Sequence, residues 1–353
     1  RKFESMNNAA GNTETRISPD EALSLLRRND LLDLGQRAHE TRLRIADPEV
    51  VTYVVDRNVN CTNVCSSRCE FCAFYREPEH PEAFVLSDEE IFVKLQELVD
   101  VGGTTVLLQG GLHPGLEFSY YTRLLSMMKE RFSLHLHAFS PPEIIAMRNL
   151  YHRPIRDILL DLQSAGLDSI PGGGAEILAD AVRNKISPNK CSADEWIAVM
   201  EEAHRIGLPT TATMMFGHVE TYEDRIEHLL RLRDLQDRTG GFTAFICWTF
   251  QPRNTRLENT MPMGGHEYLK TLAVSRIFLD NFPHVQASVI TQKEEVGQVA
   301  LFFGADDMGG TTIEENVVRL AGTSHCATEQ RLRELIEDAG FRPRKRNTRY
   351  ERI

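Results

Sequence analysis

From residue 51 onward, short apolar runs alternate with amphipathic stretches at intervals of roughly 30 residues, the rhythm of a strand followed by a helix. The runs are VTYVVDR (51–57), TTVLLQGG (104–111), LHLHAF (134–139), LDSIPGGG (167–174), TTATMMFG (210–217), FTAFICWTF (242–250) and HVQASVI (284–290), with a weaker one at FFGADDM (302–308). Each is followed by glycine or polar residues. Helix starts between them are marked by caps: Ser87 with Glu90 ahead of Ile91, Leu95 and Leu98; Ser192 with Glu195 ahead of Trp196, Val199 and Ala203; Thr221 with Asp224 ahead of Ile226, Leu229 and Leu230. Eight strand–helix units with no linker or composition break predict an α/β chain folded as one parallel (β/α)8 TIM-type barrel. A doubly wound sheet fits less well, because the first strand–helix turn is not GxGxxG.

Ahead of the barrel, RISPDEALSLL offers Ser18 as N-cap, Pro19 at the first helical position and Glu21 to close a capping box. Residues 16–48 therefore read as helices packing on the barrel, 49–353 as the barrel with a C-terminal tail, and 1–15 as a disordered tail. In such a barrel the chemistry sits on the loops after the C-terminal ends of the strands.

Composition narrows the setting. With 353 residues and 41% hydrophobic content, a large core is within reach. No stretch approaches the ~20 apolar residues that cross a bilayer, and the first fifteen residues hold no apolar signal core, which argues for the cytoplasm and against a membrane. A net charge of -11 leaves no basic field for nucleic acid. The one basic run, RPRKR at 342–346, reads as a solvated end.

Four of the seven cysteines fall within CTNVCSSRCEFCAFYR, residues 61–76. An odd count, with Cys191, Cys247 and Cys326 scattered, does not describe a disulfide framework; the scattered three read as small core or strand-end residues. Cys65, Cys69 and Cys72 are spaced C-x3-C-x2-C on the loop after the first strand, which points to a metal or redox site. Zinc would require a fourth ligand, which Cys61 can supply. An iron–sulfur cubane held by three thiolates instead leaves one iron open to a ligand.

That spacing, with Phe71 just before the last cysteine, resembles the cluster motif of the radical S-adenosylmethionine (SAM) superfamily. The resemblance extends from RISPDEAL to the C-terminus through DRNVNCTNVC, CEFCAFYR, GGLHP, SIPGGGAEIL, GHVET, HLLRLRDLQDRTGGFTAFI and EENVVRLAG. All of these are similar to the menaquinone-pathway enzymes of the futalosine route, close relatives of the deazaflavin cofactor synthases. It implies a 4Fe-4S cluster on Cys65, Cys69 and Cys72, with S-adenosyl-L-methionine on the open iron. It also implies an external one-electron reductant such as flavodoxin or ferredoxin. QGGLHP, NKISPNKCSADEW, TTATMMFGHVET and WTFQPRNT resemble the branch members that cyclise dehypoxanthine futalosine rather than those that make aminofutalosine. Cys61 stands where tyrosine is expected, Cys247 where proline is more usual, and Leu112 where many relatives carry glutamate.

The resemblance and the strand ends together nominate the site. Phe71 and Tyr75 would shield the cluster and face the adenine. Gln109, Gly110, Gly111, Ser140, Glu176 and Met214 are candidate SAM contacts, with Glu176 on the ribose hydroxyls. His137, Trp248, Thr249, Gln251 and Arg319 are candidates for the substrate, Arg319 for its carboxylate unless it pairs with Glu315. Glu220 or His218, with His113 behind them, is expected to accept the proton.

Overall fold

The computed structural model describes residues 16–322 and 327–353; the expected tail at 1–15 and Cys326 lie outside the described residues. Among the described residues nine strands form: β1 (Val50–Val54), β2 (Asp56–Asn60), β3 (Thr105–Gln109), β4 (His135–Ala138), β5 (Thr210–Phe216), β6 (Phe242–Thr249), β7 (His284–Gln286), β8 (Asp307–Gly310) and β9 (Arg342–Lys345). β1 runs through Val55 into β2, so the two act as one long strand. Parallel pairing leads from β2 to β3 to β4, then through bridges at Ser169 and Ile170 to β5, on through β6, β7 and β8, and back to β1. The ring is that of a (β/α)8 barrel, with helices on the outside and the cysteine loop leaving the C-terminal end of β2.

Local rules account for most of the elements. The capping boxes at Ser18, Ser87, Ser192 and Thr221 are all formed, each with reciprocal side-chain and backbone bonds; such a cap contributes about 1 kcal/mol. Helix Leu31–Ile45 is fastened to the barrel by the buried Arg42, which donates to the carbonyls of Ala305 and Val50, both at 3.0 Å. Among the described residues no helix is long and apolar enough to cross a membrane.

Three expectations shift. LDSIPGGG makes only isolated bridges at Ser169 and Ile170, because Pro171 has no N–H to donate and the glycines that follow turn the backbone. HVQASVI splits into the three-residue β7 and a helix starting at Val289. The strand expected at 302–308 forms later, at Asp307–Gly310.

The basic run at 342–346 is not a solvated end. It forms β9, parallel to β1 with Val50 opposite Arg342 and Tyr53 opposite Lys345. Arg342 and Arg344 are exposed while Pro343, Arg346 and Thr348 are buried, so the charge count concealed an inward side of the segment. Arg346 pairs with Asp307 through two nitrogens, at 2.5 and 2.8 Å. Thr348 bonds the Thr105 hydroxyl at 2.6 Å, and the Tyr350 ring stacks on His284 at 3.9 Å. The tail thereby floors the barrel at the end away from the cysteines.

Candidate active site

Residues 61–76 form turns rather than a helix because the loop is tied on several sides. Ser66 N donates to Leu112 O at 3.0 Å, Glu70 N to Ile186 O at 2.8 Å, and Cys65 N to Arg76 O at 3.1 Å. Gly111 permits this approach: a Cβ there would sit 2.1 Å from Val64 O. Cys65, Cys69 and Cys72 are all free thiols, Cys69 buried and the other two half-buried. Burial pushes Cys69 up to about 11 and raises Cys72, so a bound cationic centre must displace their protons. Cys61 is a separate case: buried, pushed up to about 12 by burial, and so close to Gly110 that a Cβ there would lie 2.7 Å from its sulfur. Among the described residues no three His, Cys, Asp or Glu side chains are grouped to hold a single metal ion. Three free thiols on one loop, with the fourth cysteine turned to packing, fit an iron–sulfur cluster with an open iron better than a four-ligand zinc site.

Lys190 joins this loop to the barrel interior. Its ammonium lies 5.0 Å above the Phe71 ring and 3.0 Å from Glu176 Oε1. Burial pulls its pKa down, but Cys69 and then Glu176 outweigh that and hold it above the ordinary lysine range. Glu176 is buried with a left-handed backbone (φ 41°). Its second oxygen, Oε2, faces the Arg183 guanidinium at 3.8 Å, beyond hydrogen-bond reach, and has no hydrogen-bond partner. A buried carboxylate oxygen without a hydrogen bond, on a residue that lines a cavity, fits a ligand that brings hydroxyl donors, as the SAM ribose would.

That cavity, about 320 Å³, occupies the barrel lumen and reaches from Gln109, Glu176 and Trp248 at the cysteine end to Arg346, Thr348 and Tyr350 at the floor. The volume is in the range that holds a small ligand. Asp56, Asn58 and His137 line its middle. Asn58 donates to Glu315 Oε2 at 2.9 Å, and Glu315 Oε1 accepts from Val317 N and Val318 N. A larger hollow, about 730 Å³, lies at the opposite end of the barrel and opens widely to solvent.

Asp56 was not foreseen, although DRNVN puts Asp56 and Asn58 on one side of the strand and the apolar Val55 and Val59 on the other. Burial pushes its carboxyl up to about 6, against the pull of the Thr312 N–H and Arg346. The unfolded carboxyl titrates near ~3.9, so between the two values the folded state holds the extra proton. Asp56 therefore stabilises the fold below that window, and the advantage is lost as pH rises through 6. The isosteric Asp56→Asn is expected to gain on the parent by up to about 3 kcal/mol between pH 4 and pH 7, read from urea midpoints at both values.

Of the nominated residues, Gln109, His137, Glu176 and Trp248 meet in the cavity. The expected proton acceptors do not. Glu220 is buried in the turn after β5, where it accepts from Gly217 N (2.7 Å), His218 N (2.9 Å) and Arg225 (2.8 Å). Burial alone would raise its carboxyl, but His218 and Arg225 hold it below the usual range. His218 spends one nitrogen on Met215 O (3.1 Å) and the other on Val219 N (2.8 Å), which leaves it no free lone pair. His113 lies on the loop after β3, with Nδ1 accepting from Gly115 N at 3.0 Å.

Strand parity displaces two more. Thr213 and Trp248 face the lumen, so their neighbours Met214 and Thr249 face the helices. Thr249 there binds Gln292 and Gln251. Ser140 caps helix Pro141–Tyr151 with Glu143, whose other oxygen accepts from Gly110 N at 3.1 Å. Tyr75 accepts from Arg256 at 2.7 Å. Arg319 is exposed on helix Asn316–Leu320 rather than paired with Glu315, whose oxygens serve Asn58 and the helix N-terminus.

Residues 59–232 match the model of the radical SAM superfamily, and 239–353 match that of the CofH/MqnC C-terminal region. The chain is 44% identical over 339 residues to the cyclic dehypoxanthine futalosine synthase of Halalkalibacterium halodurans, covering 96% of this chain and 92% of that one. It is 39% identical over 351 residues to the aminodeoxyfutalosine synthase of Streptomyces coelicolor, covering 95% and 90%. Its fold superposes on methylornithine synthase with a TM-score of 0.72 at 18% identity, covering 94% and 95%. With its cysteine loop at the mouth of the barrel and this identity over nearly its whole length, the chain belongs to the radical SAM superfamily, enzymes of a 4Fe-4S cluster and SAM, in the branch that carries the CofH/MqnC C-terminal region.

Proposed function

We propose that the enzyme converts dehypoxanthine futalosine to its cyclic form in menaquinone biosynthesis. The observation that carries this reading is a lumen cavity whose mouth holds a Glu176 oxygen with no hydrogen-bond partner and is joined to the cysteine loop by Lys190. Identity to a cyclic dehypoxanthine futalosine synthase along 96% of the chain selects the substrate.

When bound, the cluster on Cys65, Cys69 and Cys72, reduced by a donor such as flavodoxin or ferredoxin, and SAM supply a 5'-deoxyadenosyl radical. The protein's own work is alignment and dryness. Glu176 and Gln109 hold the nucleoside at the mouth, and the closed floor of Arg346, Thr348 and Tyr350 keeps bulk water from the lumen. Trp248 and Ile246 give the substrate apolar wall, while Asn58 and His137 give it polar contacts. Held there, the substrate would give a hydrogen atom from ribose C4' to that radical, join the carbon to its benzoate ring, and regain aromaticity by giving up one proton and, to the cluster when bound, one electron.

Anaerobically reconstituted enzyme is expected to bind about four irons. With SAM, dithionite and dehypoxanthine futalosine it should release 5'-deoxyadenosine and a product lighter than the substrate by two hydrogens, read by mass spectrometry. Consumption of 3-enolpyruvyloxybenzoate, with the adenosine portion kept in the product, would assign aminofutalosine synthesis instead.

A further inference from the structure

The proposed cyclisation releases one proton per turnover inside a barrel that the tail closes from below and the bound substrate closes from above. The electron given up with it needs a one-electron acceptor, which a cluster on Cys65, Cys69 and Cys72 would supply when bound, whereas the proton needs a path through protein. A path is visible on the wall formed by β4 and the bridge beside it. His137 lines the lumen cavity, and its Nδ1 lies 2.6 Å from Ser169 Oγ. The same hydroxyl lies 2.7 Å from His135 Nε2. His135, two residues back on the same side of the strand, lines the solvent-filled hollow at the opposite end, together with Lys129, Asp168, Arg349 and Glu351. At the upper end, His137 Nε2 is 3.4 Å from the Thr211 hydroxyl on the cavity wall.

We propose that His137, Ser169 and His135 form a proton relay that carries the proton of cyclisation from the lumen to the hollow at the far end of the barrel. The relay rests on the cyclase reading and extends it. The ring C–H bond breaks as the proton bonds to His137 Nε2, and the Nδ1–H of His137 passes to Ser169 Oγ. The Ser169 O–H passes to His135 Nε2, and the Nδ1–H of His135 goes to water in the hollow. Every N–H or O–H bond that breaks is matched by one that forms, and no electron moves along the chain. One hydroxyl that accepts from His137 and donates to His135 satisfies both contacts at once.

Both imidazoles are in the state the relay needs. Burial pushes His137 down to about 3, with His135 and Arg346 as the charged or titratable groups facing it. Burial also pushes His135 down to about 4; Asp168 and Glu351 oppose this, and Lys129 and Arg349 add to it. A neutral imidazole has one N–H and one lone pair, so it passes a proton on without retaining it.

The test uses reconstituted holoenzyme with SAM and dehypoxanthine futalosine. Ser169→Ala and His135→Ala are expected to slow cyclised product roughly tenfold or more, the scale of a positioned proton-transfer group. 5'-Deoxyadenosine should still form, so its ratio to product rises. Ser169→Thr, which returns the hydroxyl, and free imidazole added to His135→Ala, which enters through the open hollow, are each expected to restore the parent ratio. Independently of turnover, ¹⁵N spectra of the purified chain should show His135 and His137 neutral at pH 7 with the proton on Nδ1. Unchanged rate and ratio in both alanine variants, or losses that neither threonine nor imidazole reverses, would overturn the relay. Absence of cyclised product from the parent enzyme would instead overturn the reaction assigned above, and the nitrogen spectra would still report on the relay.

Discussion

Cys69→Ser is expected to leave the chain folded and to abolish both its iron and its turnover. On the proposed reading Cys65, Cys69 and Cys72 hold the cluster and Cys61 packs against Gly110, so removing one of the three leaves two corners of the cluster without a protein ligand. An alcohol titrates far above a thiol and does not replace the missing thiolate. Cys61→Ala is the control. Its sulfur packs against Gly110 and is buried, so its loss should cost about 1–2 kcal/mol of stability as a small cavity and leave the iron content near that of the parent. Iron analysis and visible absorbance of the two variants side by side decide the matter. If Cys61→Ala loses iron as completely as Cys69→Ser, the site takes four thiolates and has no open iron.

The second large effect belongs to the floor of the barrel. Arg346 is 3% exposed and Asp307 0%, with two bonds between them. Arg346→Met removes the cation and leaves a buried carboxylate with Thr52 and a backbone N–H as its remaining partners. A broken buried pair of this kind costs about 3–5 kcal/mol, which urea unfolding should register as a large drop in midpoint. Adding Asp307→Leu to the variant should recover much of the loss, because an apolar replacement of both partners removes the uncompensated charge. If the double variant is as unstable as the single one, the cost lies in the lost packing of Arg346 over the Tyr350 ring, 3.9 Å away, rather than in charge.

How far the sequence could be read follows from the range of each signal. Capping boxes are local, and those expected at Ser18, Ser87, Ser192 and Thr221 formed. The cysteine spacing is local too, and it located the loop at the mouth of the barrel. Strand parity is less forgiving, because a step of one residue reverses the face: Trp248 lines the lumen while Thr249 points away from it. Glu220 and His218 look like chemistry because of their types, yet both are used up by the turn that holds them, through backbone donors no sequence displays. Long-range partners were invisible. Lys190 meets Glu176 across a loop, and Ser169 meets two histidines across strands. The strand at 342–345 was hidden by its own charges, since its identity depends on pairing with β1 rather than on its composition.

That pairing has a consequence for biosynthesis. Among the described residues β1 pairs laterally only with β8 and β9, and the bond from Thr52 to Asp307 spans 255 residues. A ribosome adding ~5–20 residues per second takes roughly 10–50 s to cover that distance. For that interval Val51 and Tyr53, apolar and destined for the core, have no strand beside them. A nascent chain of this design is therefore a natural client for holding chaperones, and its commitment to the native topology waits until residues 307–345 have been made.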